Sequence, residues 1–286
     1  MDYSTHCDNI TEGDNVIVGL GDSFTKGVGA YNLDTWKFIA DNPALYNALS
    51  KPFLEEQEKN NWLSQLQDKF LPNYKVFNLG ITGIGNRAAV KELYFNPLPK
   101  NLGNVIVILI ATGLDRFDYF KQSNEADRIS WQTIWPCISD KGIISALEQQ
   151  YLEQIWSPEN DALEFLSTVC EAENFCKANG YKFLFISSFD SRISKSCLLE
   201  DLKDKSRYID IVDWNNFINI PDRDSLMDMI NQLEGNEYRS MYDIYHNKSF
   251  TKLPSKYITP CGHWTIEGQL QVSEYLFKEL QTRKII

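Results

Sequence analysis

The sequence lacks the features that would assign it to several large classes. Basic residues are the minority, with 28 Lys and Arg against 39 Asp and Glu and a formal net charge of -11. Proteins that track a phosphate backbone concentrate Lys and Arg to displace counterions, so nucleic acid is not an expected partner. Long apolar runs are missing. The longest, Val105 to Ala111, is far too short to cross a bilayer, and the N-terminal MDYSTHCDNITEGD has neither a basic region nor an apolar one of the kind a signal peptide needs. No membrane partner is expected, and a cytoplasmic location is the default. The six cysteines (Cys7, Cys137, Cys170, Cys176, Cys197 and Cys261) show no CxxC spacing, so neither a metal site nor a disulfide framework is signalled. Histidine is scarce as well: His6, His246 and His263 are the only three.

What is present is an ordinary globular composition, 43% hydrophobic and 13% aromatic over 286 residues, enough for one large core. Short β-rich apolar runs at Asn15–Leu20, Tyr74–Phe77, Val105–Ala111 and Tyr181–Ser187 have the character of strands buried on both faces of a parallel sheet, and Tyr208–Val212 reads as a weaker fifth. Helical patterns lie between and after them, over Pro52–Phe70, Asn86–Phe95, Asp161–Ala178 and Thr265–Leu280. This alternation predicts an α/β fold, a three-layer α/β/α sandwich around a central parallel sheet. Two stretches, about 115–158 and about 189–257, are too long to be simple connections and read as insertions in one domain spanning 1–286.

In parallel sheets the ligand crevice lies beyond the carboxyl ends of the strands. Directly after the first strand comes Gly21-Asp22-Ser23-Phe24-Thr25-Lys26-Gly27. A serine there holds its hydroxyl at the crevice and its N–H at a helix start, where developing negative charge is stabilised. Asp22 is expected to brace the turn. The dinucleotide fingerprint would need glycine where Phe24 stands, and the P-loop order Gly-Lys-Ser/Thr is absent. Neither nucleotide motif applies.

This Gly-Asp-Ser turn resembles the first block of the SGNH (GDSL-like) hydrolase superfamily, with its flavodoxin-like α/β/α fold. The resemblance implies Ser23 as nucleophile and an oxyanion hole built from the N–H groups of Ser23 and Gly80, the latter after the second strand in Asn78-Leu79-Gly80. The family's third block, Gly-x-Asn, corresponds here to Gly113-Leu114-Asp115. An ionised Asp115 accepts hydrogen bonds rather than donating them, so it could serve only if protonated, or if another donor such as Arg116 substitutes. The last block, Asp-x-x-His, corresponds to Pro260-Cys261-Gly262-His263. The resemblance makes His263 the base and leaves Pro260 where the acid would be. A backbone carbonyl near Thr259 or Pro260, or a carboxylate such as Asp243, could take the acid's place on Nδ1.

The function this implies is hydrolysis of a small acyl ester by a Ser-His dyad, with O-acetyl groups on a carbohydrate as a candidate substrate and no metal or organic cofactor. Phe117, Tyr119, Phe120, Trp131 and Trp135 are candidates for a sugar- or acyl-binding rim, with core packing of the insertion as the alternative. The competing class is a catalytically weak glycan-binding or structural protein on the same fold, such as a phage virion component. The motifs do not specify the oligomeric state.

Overall fold

A computed structural model describes residues 9–42, 51–122, 129–134, 146–235, 254–259 and 262–286. Four strands form the central sheet: β1 (Asn15–Gly21), β2 (Tyr74–Asn78), β3 (Val105–Ala111) and β6 (Lys182–Ser187). Their order is β2-β1-β3-β6 and every pairing is parallel. Successive side chains of a strand point to opposite faces, and this sheet uses both. Val16, Val18, Leu20, Val107 and Leu109 face α5 (Asn86–Phe95) and α7 (Pro158–Asn179). Ile17, Ile106, Ile108 and Ile110 face α4 (Trp62–Phe70) and the final helix, Ile266–Thr282. With apolar demand on both faces, β1 and β3 read as unbroken hydrophobic runs, and helices cover each side.

The chain leaves β1 to form β2 on one side and places β3 on the other, so the strand order reverses between β1 and β3. In parallel sheets such a switch point, at the carboxyl ends of the two strands, is where ligands bind. Gly21 at the end of β1 pairs with Ile110 near the end of β3, which brings the loops after both strands side by side.

Two expectations are corrected. Tyr208–Val212 is not a strand, because Lys203–Ile211 forms a 3₁₀ helix and only Val212 is extended. Its buried apolar residues, Ile209 and Val212, are three apart. That is the 3₁₀ period, whereas a strand buries every second residue. The helical run Pro52–Phe70 divides into α3 (Lys51–Asn60) and α4, because Asn61 leaves helical backbone and caps α4 by accepting the Ser64 N–H at 2.9 Å.

The 115–158 stretch contains an antiparallel hairpin, β4 (Phe117–Gln122) with β5 (Ile129–Ile134), and α6 (Ala146–Gln154). Asp118 docks the hairpin onto the domain by accepting the Gly85 and Ala88 N–H groups at 2.8 and 2.9 Å, two of the orphan donors at the start of α5. The 189–257 stretch supplies α8 (Lys195–Leu202), the 3₁₀ segments and α9 (Leu226–Leu233). Among the described residues, no helix is long and apolar enough to cross a membrane.

Candidate active site

The nucleophile turn follows from local chemistry. β1 ends at Gly21 with φ +145°, where a side chain would meet Thr25 Oγ1 and come within 2.6 Å of the Ile110 carbonyl, so only glycine fits. Asp22 is the N-cap of α1 (Ser23–Lys26), and its Oδ1 accepts the Phe24 N–H at 3.0 Å. Ser23 is then the first helical residue, and its own N–H has no acceptor within the helix. Gly27, in the left-handed conformation, ends the turn by donating its N–H to the Ser23 carbonyl. Asp22 therefore braces the turn as expected, and it is fully buried.

The base arrives on a tight loop. Thr259 N–H donates to the His263 carbonyl at 2.8 Å, and His263 N–H donates back to Thr259 Oγ1 at 3.0 Å. Ile258 bridges Trp264, and Thr265 caps the final helix by accepting the Gly268 N–H. Gly29 lets this loop come close: a Cβ there would sit 2.9 Å from Thr259 Cγ2 and 3.0 Å from His263 Cβ. His263 Nε2 lies 2.8 Å from Ser23 Oγ, with the Phe24 ring 5.0 Å from the imidazole. The structure thus brings together the two residues singled out in the sequence as nucleophile and base. Pro260, Asp243, His6 and His246 lie outside the described residues.

The expected oxyanion donors fare differently. Gly80 N–H donates to Asn78 Oδ1 at 2.9 Å, while Asn78 Nδ2 holds the Thr25 carbonyl at 2.9 Å. A Cβ on Gly80 would lie 2.5 Å from Lys26 N, so this glycine is needed for close packing beneath α1, and its amide is engaged there. Arg116 does not stand in for the missing asparagine either. Its Nη1 donates to Asp22 Oδ2 at 2.6 Å and to the Ile84 carbonyl at 3.0 Å, and its side chain is only 8% exposed. Thr112 Oγ1 donates to the same Asp22 oxygen at 2.9 Å. Asp115 lies 3.9 Å from Arg192, which is itself held by Asp190. Burial pushes the Asp115 carboxyl above its ordinary range, with Arg192 pulling the other way.

Of the aromatic residues considered for a rim, Phe117 stacks on Tyr151 with ring centres 4.3 Å apart, a packing role. Tyr119 lies on β4. The side chains of Phe120 and Trp131, and all of Trp135, are outside the described residues. A cleft of about 670 Å³ lies at the other end of β6, between Glu173, Lys182, Asp213 and Arg283, and includes neither Ser23 nor His263. Among the described residues, no group of three or more His, Cys, Asp or Glu is arranged to hold a metal ion.

The ion pair between Asp22 and Arg116 and the close approach at Gly29 were not legible as functional features. Arg116 stands next to the Gly113-Leu114-Asp115 block, where it reads as an oxyanion donor rather than as a partner of Asp22, and Gly29 is 234 positions from the histidine it accommodates. The serine after β1, the Gly-Leu-Asp block after β3 and the histidine before the last helix thus lie at the carboxyl end of a parallel sheet ordered β2-β1-β3-β6 and covered by helices on both faces.

No protein-family model and no curated protein matches the sequence. Among solved structures, the chain is similar to the acetyl xylan esterase AlAXEase, at 12% identity over 93% of this chain and 99% of that one, with a TM-score of 0.43. It is also similar to a carbohydrate esterase whose active site is described as having divergent catalytic and non-catalytic binding functions (10% identity, 96% of this chain, 66% of that one, TM-score 0.46). A third is a catalytic mutant of Axe2, an acetylxylan esterase from Geobacillus stearothermophilus (13% identity, 95% of each chain, TM-score 0.41).

Proposed function

We propose that this chain is a serine esterase acting on a small acyl ester, with Ser23 as nucleophile and His263 as general base. The observation that carries the reading is the 2.8 Å contact between Ser23 Oγ and His263 Nε2 at the switch point of a parallel sheet. As Ser23 Oγ bonds to the ester carbonyl carbon, His263 takes its proton. The tetrahedral oxyanion is stabilised by the Ser23 N–H at the start of α1. Collapse breaks the bond to the alcohol, which leaves with the proton from His263. Water, deprotonated by the same imidazole, then cleaves the acyl-serine and releases the carboxylic acid.

Ser23 is only 7% exposed and is flanked by Phe24, which packs on Phe189 and Trp264. Such restricted access suits a short acyl group, and O-acetyl groups on a carbohydrate are the first substrates to try. The test compares turnover of p-nitrophenyl acetate and labelling by a fluorophosphonate in the wild type and in Ser23→Ala. Labelling at Ser23, with turnover lost in the variant, supports the reading. Equal background rates and no label at Ser23 would sink it.

A second reading, a glycan-binding or structural protein with weak catalysis, is favoured by one observation. The Gly80 amide is engaged by Asn78, and a carboxylate stands in the third block, which leaves the oxyanion with fewer donors. Saturable binding of an acetylated glycan with no turnover would decide for it.

A further inference from the structure

Arg116 was a candidate oxyanion donor in the sequence, but its contacts give it a different place. One nitrogen, Nη1, grips two loops at once: Asp22 Oδ2 on the nucleophile turn after β1, at 2.6 Å, and the Ile84 carbonyl on the turn after β2, at 3.0 Å. Arg116 itself follows β3, so this single guanidinium ties together the carboxyl ends of three neighbouring strands. Asp22 is fully buried and the Arg116 side chain nearly so, which leaves little water to compete for the pair. Because Asp22 Oδ1 also caps α1 through the Phe24 N–H, the orientation of its carboxylate sets the direction of the first helical turn, and Ser23 stands in that turn. The Arg116 guanidinium also lies 5.3 Å over the Phe189 ring, Phe189 is 5.5 Å from Phe24, and Phe24 is 5.0 Å from His263. The same side chain is therefore tied to the nucleophile through a buried carboxylate and to the base through two aromatic rings.

We propose that Arg116 is a positioning residue for the Ser23–His263 pair, acting through the buried Asp22 carboxylate and the Phe189–Phe24 rings and not by contact with substrate. This rests on the esterase reading, and its failure is separable from failure of that reading. Lysine is a point charge that cannot reproduce the planar, forked set of contacts, so even the charge-conserving change disturbs the turn.

The experiment measures fluorophosphonate labelling of Ser23, in which the Ser23 Oγ–phosphorus bond forms, fluoride leaves and His263 takes the proton. It also measures kcat and KM for p-nitrophenyl acetate. The proteins are the wild type, Arg116→Lys, and the double variant Asp22→Asn with Arg116→Leu. The double variant removes both buried charges together, which avoids stranding one of them and keeps the fold. Thermal unfolding and near-UV circular dichroism report folding in each. A displacement of the reacting atoms by about 1 Å costs on the order of 100-fold in rate. The expected result is therefore a fall of about 100-fold in labelling and kcat for the double variant, and about 10-fold for Arg116→Lys, with KM within about twofold and melting unchanged. Labelling and kcat within about threefold of the wild type in Arg116→Lys and in any folded double variant would overturn the proposal. So would a fall in kcat that only tracks the loss of folded protein. An unlabelled wild type would instead reject the esterase reading itself.

Discussion

Asp115 lies 3.9 Å from the guanidinium of Arg192 on the loop after β6, and Arg192 is held in turn by two hydrogen bonds to Asp190. The residue that occupies the third sequence block is thus paired with a cation. Arg192 stabilises the ionised form of Asp115, and burial opposes it.

Replacing Asp115 with asparagine supplies a neutral amide donor in a setting that already accommodates a side chain of that size. Removing a single oxyanion donor in a serine hydrolase costs on the order of 100-fold or more, so adding one in an imperfect geometry is expected to raise kcat by about 10-fold. The wild-type carboxyl donates only when protonated, so its contribution falls as pH rises through its elevated pKa. The ratio of Asp115→Asn to wild-type kcat should therefore grow with pH. A ratio of one across pH 5 to 9 would remove Asp115 from the oxyanion region.

Gly29 has φ +92°, and any Cβ there presses on Thr259 and His263. Gly29→Ala is expected to cost about 1–2 kcal/mol in backbone strain and to push the histidine loop off the serine. Esterase kcat should fall by about 10- to 100-fold, more than the stability change explains. Unchanged kcat in a folded variant would show that the loop tolerates the added methyl group.

Asp118 is 1% exposed and accepts two helix-start N–H groups as well as the Thr133 hydroxyl. Alanine there strands these donors, at about 1–3 kcal/mol for each left unsatisfied. Asp118→Ala should lower the melting temperature by about 5–10 °C, and Asp118→Asn, which keeps an acceptor, by less. Hydrogen exchange at the Gly85 and Ala88 amides provides an independent check. A melting temperature unchanged in Asp118→Ala would mean that the hairpin is held by other contacts.

Asp161, in the first turn of α7, is 4% exposed, and burial pushes its carboxyl up to about 7 although Trp156 Nε1 donates to it at 3.1 Å. A carboxyl raised in the folded state binds its proton there after the unfolded chain has released it. Folding stability is therefore full below the ordinary aspartate value of 3.8, falls as pH rises from 3.8 to about 7, and is flat above. The slope in that window approaches about 1.4 kcal/mol per pH unit for this one group. Asp161→Asn retains an acceptor for Trp156 and cannot ionise. The stability of the variant relative to the wild type should therefore increase from pH 4 to pH 7, as measured by urea unfolding at several pH values. Parallel curves would show that Asp161 ionises as readily when folded as when unfolded.

Much of the molecule was legible in the sequence because the signals are local. β1 and β3 announce themselves by unbroken apolar runs that only a sheet buried on both faces requires, and α5 was read to its observed ends. Ser23 was singled out by its turn after β1 together with the family resemblance, and His263 by the resemblance of its segment to the family's last block. Tyr208–Val212 was misread because five residues cannot separate a period of two from a period of three. Asn61 was missed as a break because its capping role depends on backbone angles that the run of helix-favouring residues around it conceals.

What the sequence determined by itself is the layered α/β plan, since periodicity, capping and turn chemistry act over a few positions of chain, while the candidacy of Ser23 and His263 came from the block resemblance. Only the tertiary structure decided how the site is held. Arg116 grips Asp22, and Gly29 makes room for His263. These relationships join residues up to 234 positions apart in the chain. They depend on which carboxylate or carbonyl lies within about 3 Å of a given donor, a distance set by the packing of strand ends and not by the local composition of any one segment.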